Sequence, residues 1–262
     1  VGVFKKVFIA DQIAPWVNDF YSGEIAFTLM NIAIAAYGFS VQIYCDFSGY
    51  TDMATGVAFA LGVRLPLNFD RPYISRSITN FWRRWHMTLS RWFRDYVYIP
   101  LGGRSDGKLG LLKALLITFG LSGLWHGAGL NFIAWGLITG LLIWLHRVLP
   151  LGLLIRLPAP LCIFLTFNLI TVLWVLFRDR DFYLIQTLMQ APFSSLTTLG
   201  ENNHSLIFPI VLIMITLVLH PWDSRLYYTI IYRRIGNAYS LFCAFFIILA
   251  TTIFSTGSSA EF

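Results

Sequence analysis

A few polar residues in an otherwise apolar chain have the types and spacing for chemistry. His126 stands in Ser122-Gly123-Leu124-Trp125-His126-Gly127-Ala128-Gly129, between two long apolar runs. Imidazole titrates near neutral pH, so a histidine here can take a proton from an attacking hydroxyl as a general base. The glycines on either side let a substrate or another backbone approach closely. The competing reading is a structural histidine bonded to a backbone carbonyl. Ser122 lies four residues earlier and on a helix would share a face with His126. That geometry suits a nucleophile–base pair or a hydrogen bond that fixes the ring tautomer. Serine in apolar helices more often bonds its own backbone.

Two carboxylates, Asp46 and Asp52, bracket Phe47-Ser48-Gly49-Tyr50-Thr51. A carboxylate at membrane depth needs a partner. The expected partner is an arginine from residues 71–94 or a catalytic imidazole, and the plainer alternative is a helix cap or interfacial turn. His86 follows Trp82-Arg83-Arg84-Trp85 and can serve either a surface or a site. His146, His204 and His220 fall at the ends of apolar runs and are read as structural. Cys45, Cys162 and Cys243 are far apart, with neither a disulfide framework nor zinc spacing, and are read as buried, inert thiols. No other cluster has metal-ligand spacing, and Gly102-Gly103 is too slight to be a phosphate loop.

The elements that must position these residues are membrane elements. The chain is 57% hydrophobic and 12% charged, whereas soluble domains carry roughly 25% charge. A soluble protein of this length has no interior large enough for that much apolar surface. Apolar stretches run over about 25–45, 50–63, 109–124, 129–149, 159–177, 205–220 and 239–256. Several approach the roughly 20 residues that span a bilayer. The net charge of +6 resides between these stretches, so it sets topology and meets lipid headgroups rather than nucleic acid.

The segment from Arg64 to Lys113 holds ten basic residues against Asp70, Asp95 and Asp106, which puts it in the cytoplasm. Charge counting then predicts that residues 25–63 form a hairpin with Asp46–Asp52 at its turn. That turn and the one at Trp125-His126-Gly127 would both lie outward or at mid-membrane. Over about 75–98, a helical wheel gathers Trp82, Trp85, Leu89, Trp92, Phe93 and Tyr96 on one arc, with five arginines opposite. That is the pattern of a helix lying in the interface. The chain reads as a single membrane domain over 1–262 and, from its abrupt ends, as a piece of something longer.

Several ordered motifs carry a family resemblance. They are Tyr44-Cys45-Asp46-Phe47-Ser48-Gly49-Tyr50-Thr51-Asp52-Met53-Ala54; Asn68-Phe69-Asp70-Arg71-Pro72-Tyr73; Phe81-Trp82-Arg83-Arg84-Trp85-His86-Met87-Thr88-Leu89-Ser90; Trp92-Phe93-Arg94-Asp95-Tyr96-Val97-Tyr98-Ile99-Pro100-Leu101-Gly102-Gly103; and Gly123-Leu124-Trp125-His126-Gly127. Together they resemble the membrane-bound O-acyltransferase family. The likeness is to its bacterial branch, that of the alginate O-acetylation membrane subunit, with teichoic-acid D-alanyl transfer proteins a near cousin. Trp174-Val175-Leu176-Phe177-Arg178 is similar to that branch too.

The resemblance implies an all-α, polytopic transmembrane bundle with re-entrant or interfacial helices, in a bacterial inner membrane. It implies an activated acyl donor on the cytoplasmic side. Acyl transfer needs a source of energy and the sequence shows no nucleotide loop, so the expected co-substrate is an acyl thioester, acetyl-CoA or an acyl-carrier protein, with no tightly bound cofactor and no metal. The recipient would be a hydroxyl of a cell-surface polysaccharide, or an extracytoplasmic partner protein that hands the acyl group on. The family's key histidine maps onto His126 and its second position onto His86. Asp46, Asp52, Arg83, Arg84 and Trp125 would support them. Full-length relatives have further helices before residue 1. The rival readings are a polysaccharide or lipid transporter, and a scaffold that recruits soluble acyltransferases.

Overall fold

The computed structural model describes residues 1–103, 106–149, 157–190 and 206–223. All regular structure among them is helical, with no strand. The expected stretch 239–256, His204 and Cys243 lie outside the described residues.

A π-helical stretch, Phe4–Ala10, runs into α1 (Asp11–Ser22). Ile13, Trp16, Val17 and Phe20 fall on one face of α1 and are buried. That face packs on α2 (Leu29–Ala60), whose first turn is capped by the Thr28 hydroxyl accepting from the Asn31 N–H. At 32 residues, α2 is about 48 Å long. It is unbroken, so the expected hairpin over 25–63 is wrong, and Asp46–Asp52 lies inside a helix rather than in a turn. The cause is a partner that local sequence does not show. The N-terminal segment crosses α2 so closely that a Cβ on Gly2 would stand 2.5 Å from the Gly49 carbonyl oxygen. That crossing brings Lys5 to Asp52 at 2.9 Å and Lys6 to Asp46 at 2.6 Å. With their charges matched from outside, these polar residues do not have to leave the helix.

Among the described residues, three helices are long and apolar enough to cross a membrane: α5 (Gly107–His126), α6 (Leu130–Val148) and α7 (Ala159–Arg178). They realise the stretches expected at 109–124, 129–149 and 159–177. The stretch at 205–220 is met by the shorter α9 (Ile207–Leu219), and α8 (Tyr183–Gln190) precedes it. α5 and α6 form an antiparallel hairpin joined by Gly127-Ala128-Gly129. Their backbones touch: a Cβ on Gly123 would fall 2.2 Å from the Phe132 carbonyl oxygen, and one on Gly136 2.1 Å from that of Phe119. Small residues at such crossings are how apolar helices associate in lipid.

Between α2 and α5 the chain forms a re-entrant hairpin, not the single interfacial helix expected over 75–98. α3 (Ile78–Trp82) and α4 (Met87–Phe93) are separate, and Arg94–Tyr98 continues as a π-helical turn. Thr79 shares a hydrogen bond with His146 near the end of α6. Trp82 then packs on Phe119 and Trp135 in mid-helix, and His86 reaches Trp125 near the end of α5. The chain returns through α4 until Tyr98 accepts a hydrogen bond from Arg147. His86 is therefore the apex. The expected aromatic arc is split, with Trp85 and Phe93 buried while Trp92 and Tyr96 are exposed.

The helix breaks because its backbone groups are paired elsewhere. The Asp70 N–H donates to the Arg84 carbonyl at 3.0 Å and the Met87 N–H to the Asn68 carbonyl at 2.9 Å. This exchange leaves His86 in the left-handed region, at φ 41°, an uncommon place for a residue with a side chain.

Candidate active site

His126 is the last residue of α5. Its ring lies edge-on to Phe177 at 5.1 Å and to Trp135 at 5.6 Å, with Trp125 at 4.9 Å. The Trp125 ring also stands 6.2 Å from His86, which packs edge-on against Phe47 at 4.6 Å. The two imidazoles come from different elements and line the same cavity, of about 670 Å³. Among the described residues neither ring has a hydrogen-bond partner. Both are therefore free to exchange a proton with something placed between them.

Four backbone and side-chain hydrogen bonds hold the apex. Besides the two exchanges that flank His86, the Asn68 carboxamide oxygen accepts from the Thr88 N–H at 3.2 Å and its hydroxyl at 3.0 Å. Asn68 thus caps α4 from another segment, because the His86 side chain makes no capping bond of its own. A left-handed non-glycine residue persists only where its surroundings over-determine it, and such residues gather at functional sites.

Arg83, Arg91, Arg94 and Arg147 also line the cavity. Arg94 is paired with Asp95 at 2.7 Å, and Arg147 bonds the Tyr98 hydroxyl at 3.0 Å. Arg83 and Arg91 are exposed, and their guanidiniums have no ion pair or hydrogen bond among the described residues. The cavity therefore offers uncommitted guanidiniums and two imidazoles in an aromatic wall. Arg84 is placed differently: its guanidinium donates to the Asp70 carbonyl at 3.3 Å, fastening the hairpin, and it does not line the cavity. Ser122 lines the cavity, but no hydrogen bond joins it to His126 among the described residues.

Asp46 and Asp52 lie outside this cavity. Their partners are lysines, not the arginine or imidazole expected. The Lys5 side chain is 8% exposed and reaches Asp223 at 2.6 Å as well as Asp52. Asp223 also accepts from the Tyr44 hydroxyl. Next to it, His220 Nε2 accepts the Tyr73 N–H at 3.0 Å. This buried cluster ties the N-terminal segment, α2 and the end of α9 together. Sequence reasoning missed Lys5 and Asn68. A lysine inside an apolar stretch was the signal for the first; the second has no local signal. No group of metal-ligating residues is present among the described residues.

Comparison with known proteins adds an independent line. The model of the membrane-bound O-acyltransferase family matches residues 6–152. The chain is 40% identical over 205 residues to the probable alginate O-acetylase AlgI of Pseudomonas aeruginosa, covering 78% of this chain and 39% of that protein. It is 39% identical over 184 residues to the peptidoglycan O-acetyltransferase of Helicobacter pylori, covering 69% and 35%. It is 33% identical over 164 residues to the teichoic acid D-alanyltransferase of Bacillus subtilis, covering 56% and 41%. The chain thus spans little more than a third of the length of the curated relatives it matches.

Proposed function

The chain belongs to the membrane-bound O-acyltransferase family, and we propose that it carries the acyl-transfer site of a multi-pass enzyme in a bacterial inner membrane. The reaction moves an acyl group, acetyl in the first instance, from a thioester donor to a hydroxyl of a cell-surface polysaccharide or of an extracytoplasmic partner protein. The observation that carries this reading is the pair of imidazoles, His86 and His126, facing one cavity that also holds the guanidiniums of Arg83 and Arg91, all four side chains unbonded among the described residues.

In this reading His126 takes the proton from the acceptor hydroxyl as its oxygen attacks the thioester carbonyl. The acyl–oxygen bond forms, the acyl–sulfur bond breaks, and the proton passes on to the departing thiolate. His86, across the Trp125 ring, orients the acceptor or donates to the thiolate. Arg83 and Arg91 take the phosphates of acetyl-CoA, or those of the prosthetic arm of an acyl-carrier protein. General-base help is worth roughly 10²–10⁴-fold, and holding both reactants in one cavity supplies much of the rest. Trp125 and the Asp46–Asp52 segment act by support, the first as a ring between the imidazoles and the second through the lysines.

The test is acyl incorporation into polymer by the full-length protein carrying His126→Ala. Correct insertion with acylation lost supports the reading, and normal acylation rejects the assignment. Lost polymer export with acylation chemistry intact favours a transporter. Acylation that tolerates His126→Ala but fails on charge reversal at Arg83 and Arg84 favours a scaffold.

A further inference from the structure

A second cavity, of about 500 Å³, opens between α6 and α7 and shares no lining residue with the first. Its walls are largely aliphatic: Leu142 and Leu145 from the last turns of α6, Leu149 just past its end, and Leu165 and Leu169 from α7. Both helices are membrane-length, so the groove lies at hydrocarbon depth, and Leu149 and Leu165 on its walls are exposed. Along α7 its lining runs from Ala159 to Leu169, ten residues and about 15 Å. That is half of the roughly 30 Å hydrocarbon thickness, the depth of one leaflet.

One end is cationic. Arg76 lines the groove, is exposed, and has no ion pair or hydrogen bond among the described residues. Its height follows from Thr79, whose hydroxyl lies 3.1 Å from His146 Nδ1, two residues before the end of α6. Arg76 precedes Thr79 on the limb that rises into the bundle, so it lies at the level where the span ends and headgroups begin. The leucine walls fit a flexible chain. A docked helix would call for the small residues that bring backbones together, which α5 and α6 use between themselves.

We propose that this groove binds an anionic phospholipid, with one acyl chain along the α6 and α7 leucines and the phosphate on Arg76. The site is independent of the imidazole cavity, and its test does not depend on acyl transfer. The full-length protein, purified in mild detergent, is offered phosphatidylglycerol and phosphatidylethanolamine, and retained lipid is read by native mass spectrometry. The parent retains phosphatidylglycerol in preference. Arg76→Gln lowers that preference about fivefold, the weight of one basic residue at an anionic headgroup, while Arg64→Gln, at an exposed site away from the groove, leaves it unchanged. Leu145→Trp fills the groove and lowers retention of both lipids. The proposal is overturned if Arg76→Gln keeps the parent's preference, or if Arg64→Gln loses as much. It is equally overturned if glycerol phosphate alone displaces the lipid, or if a second protein chain is retained in its place.

Discussion

The side-chain oxygen of Asn68 accepts both the N–H and the hydroxyl of Thr88, and through that pair the loop before the re-entrant hairpin fixes the residue at its apex. Asn68→Ala removes this hold on His86. A displacement of about 1 Å at a reacting group costs on the order of 10²-fold, so kcat for acyl transfer falls by that order while donor KM moves little. Asn68→Asp keeps the acceptor oxygen and recovers most of the rate. Steady-state kinetics of the three proteins check this.

Arg83 and Arg91 are the cavity guanidiniums without a partner among the described residues, which leaves them for the donor. Replacing both by Gln raises the KM for the thioester donor by about tenfold or more, since hydrogen bonds to charged groups contribute about 1.5–3 kcal/mol each. The parent's KM rises with salt and the variant's rises less. Titrations of donor at low and high ionic strength measure both.

Lys5 is the shared cation of two largely buried carboxylates. Lys5→Met leaves Asp52 and Asp223 without it, and breaking a buried ion pair from one side costs about 3–5 kcal/mol. The melting temperature in detergent drops by several degrees, and Lys5→Met combined with Asp52→Asn regains part of the loss. Thermal unfolding followed by intrinsic fluorescence is the measurement.

Two glycines separate packing from propensity. A Cβ on Gly136 would meet the Phe119 carbonyl at 2.1 Å, whereas one on Gly56, also helical, meets nothing within 4 Å. Gly136→Ala pushes α5 from α6 and destabilises by about 1–3 kcal/mol. Gly56→Ala is neutral or stabilises by up to about 1 kcal/mol. The two melting curves move in opposite directions or only the first one moves.

The spans α5, α6 and α7 were legible because length and hydrophobicity alone specify them. His126 was legible as a polar residue at the end of such a span. Asp46 and Asp52 were visible as costly groups, but their lysine partners are some forty residues away, so a continuous helix read as a hairpin. The wheel over 75–98 failed for a related reason. Its rings and arginines do alternate, yet the helix is broken by backbone bonds to Asn68 and Asp70, and no side-chain pattern reports those.

The left-handed backbone at His86 also governs how that residue can be interrogated. At φ 41°, alanine carries a steric penalty of about 1–2 kcal/mol that histidine and asparagine bear more easily. An alanine scan there mixes a distorted main chain with a missing imidazole and overstates the second. Asparagine or glycine is the cleaner surrogate, and only a defect shared by both measures what the ring itself contributes.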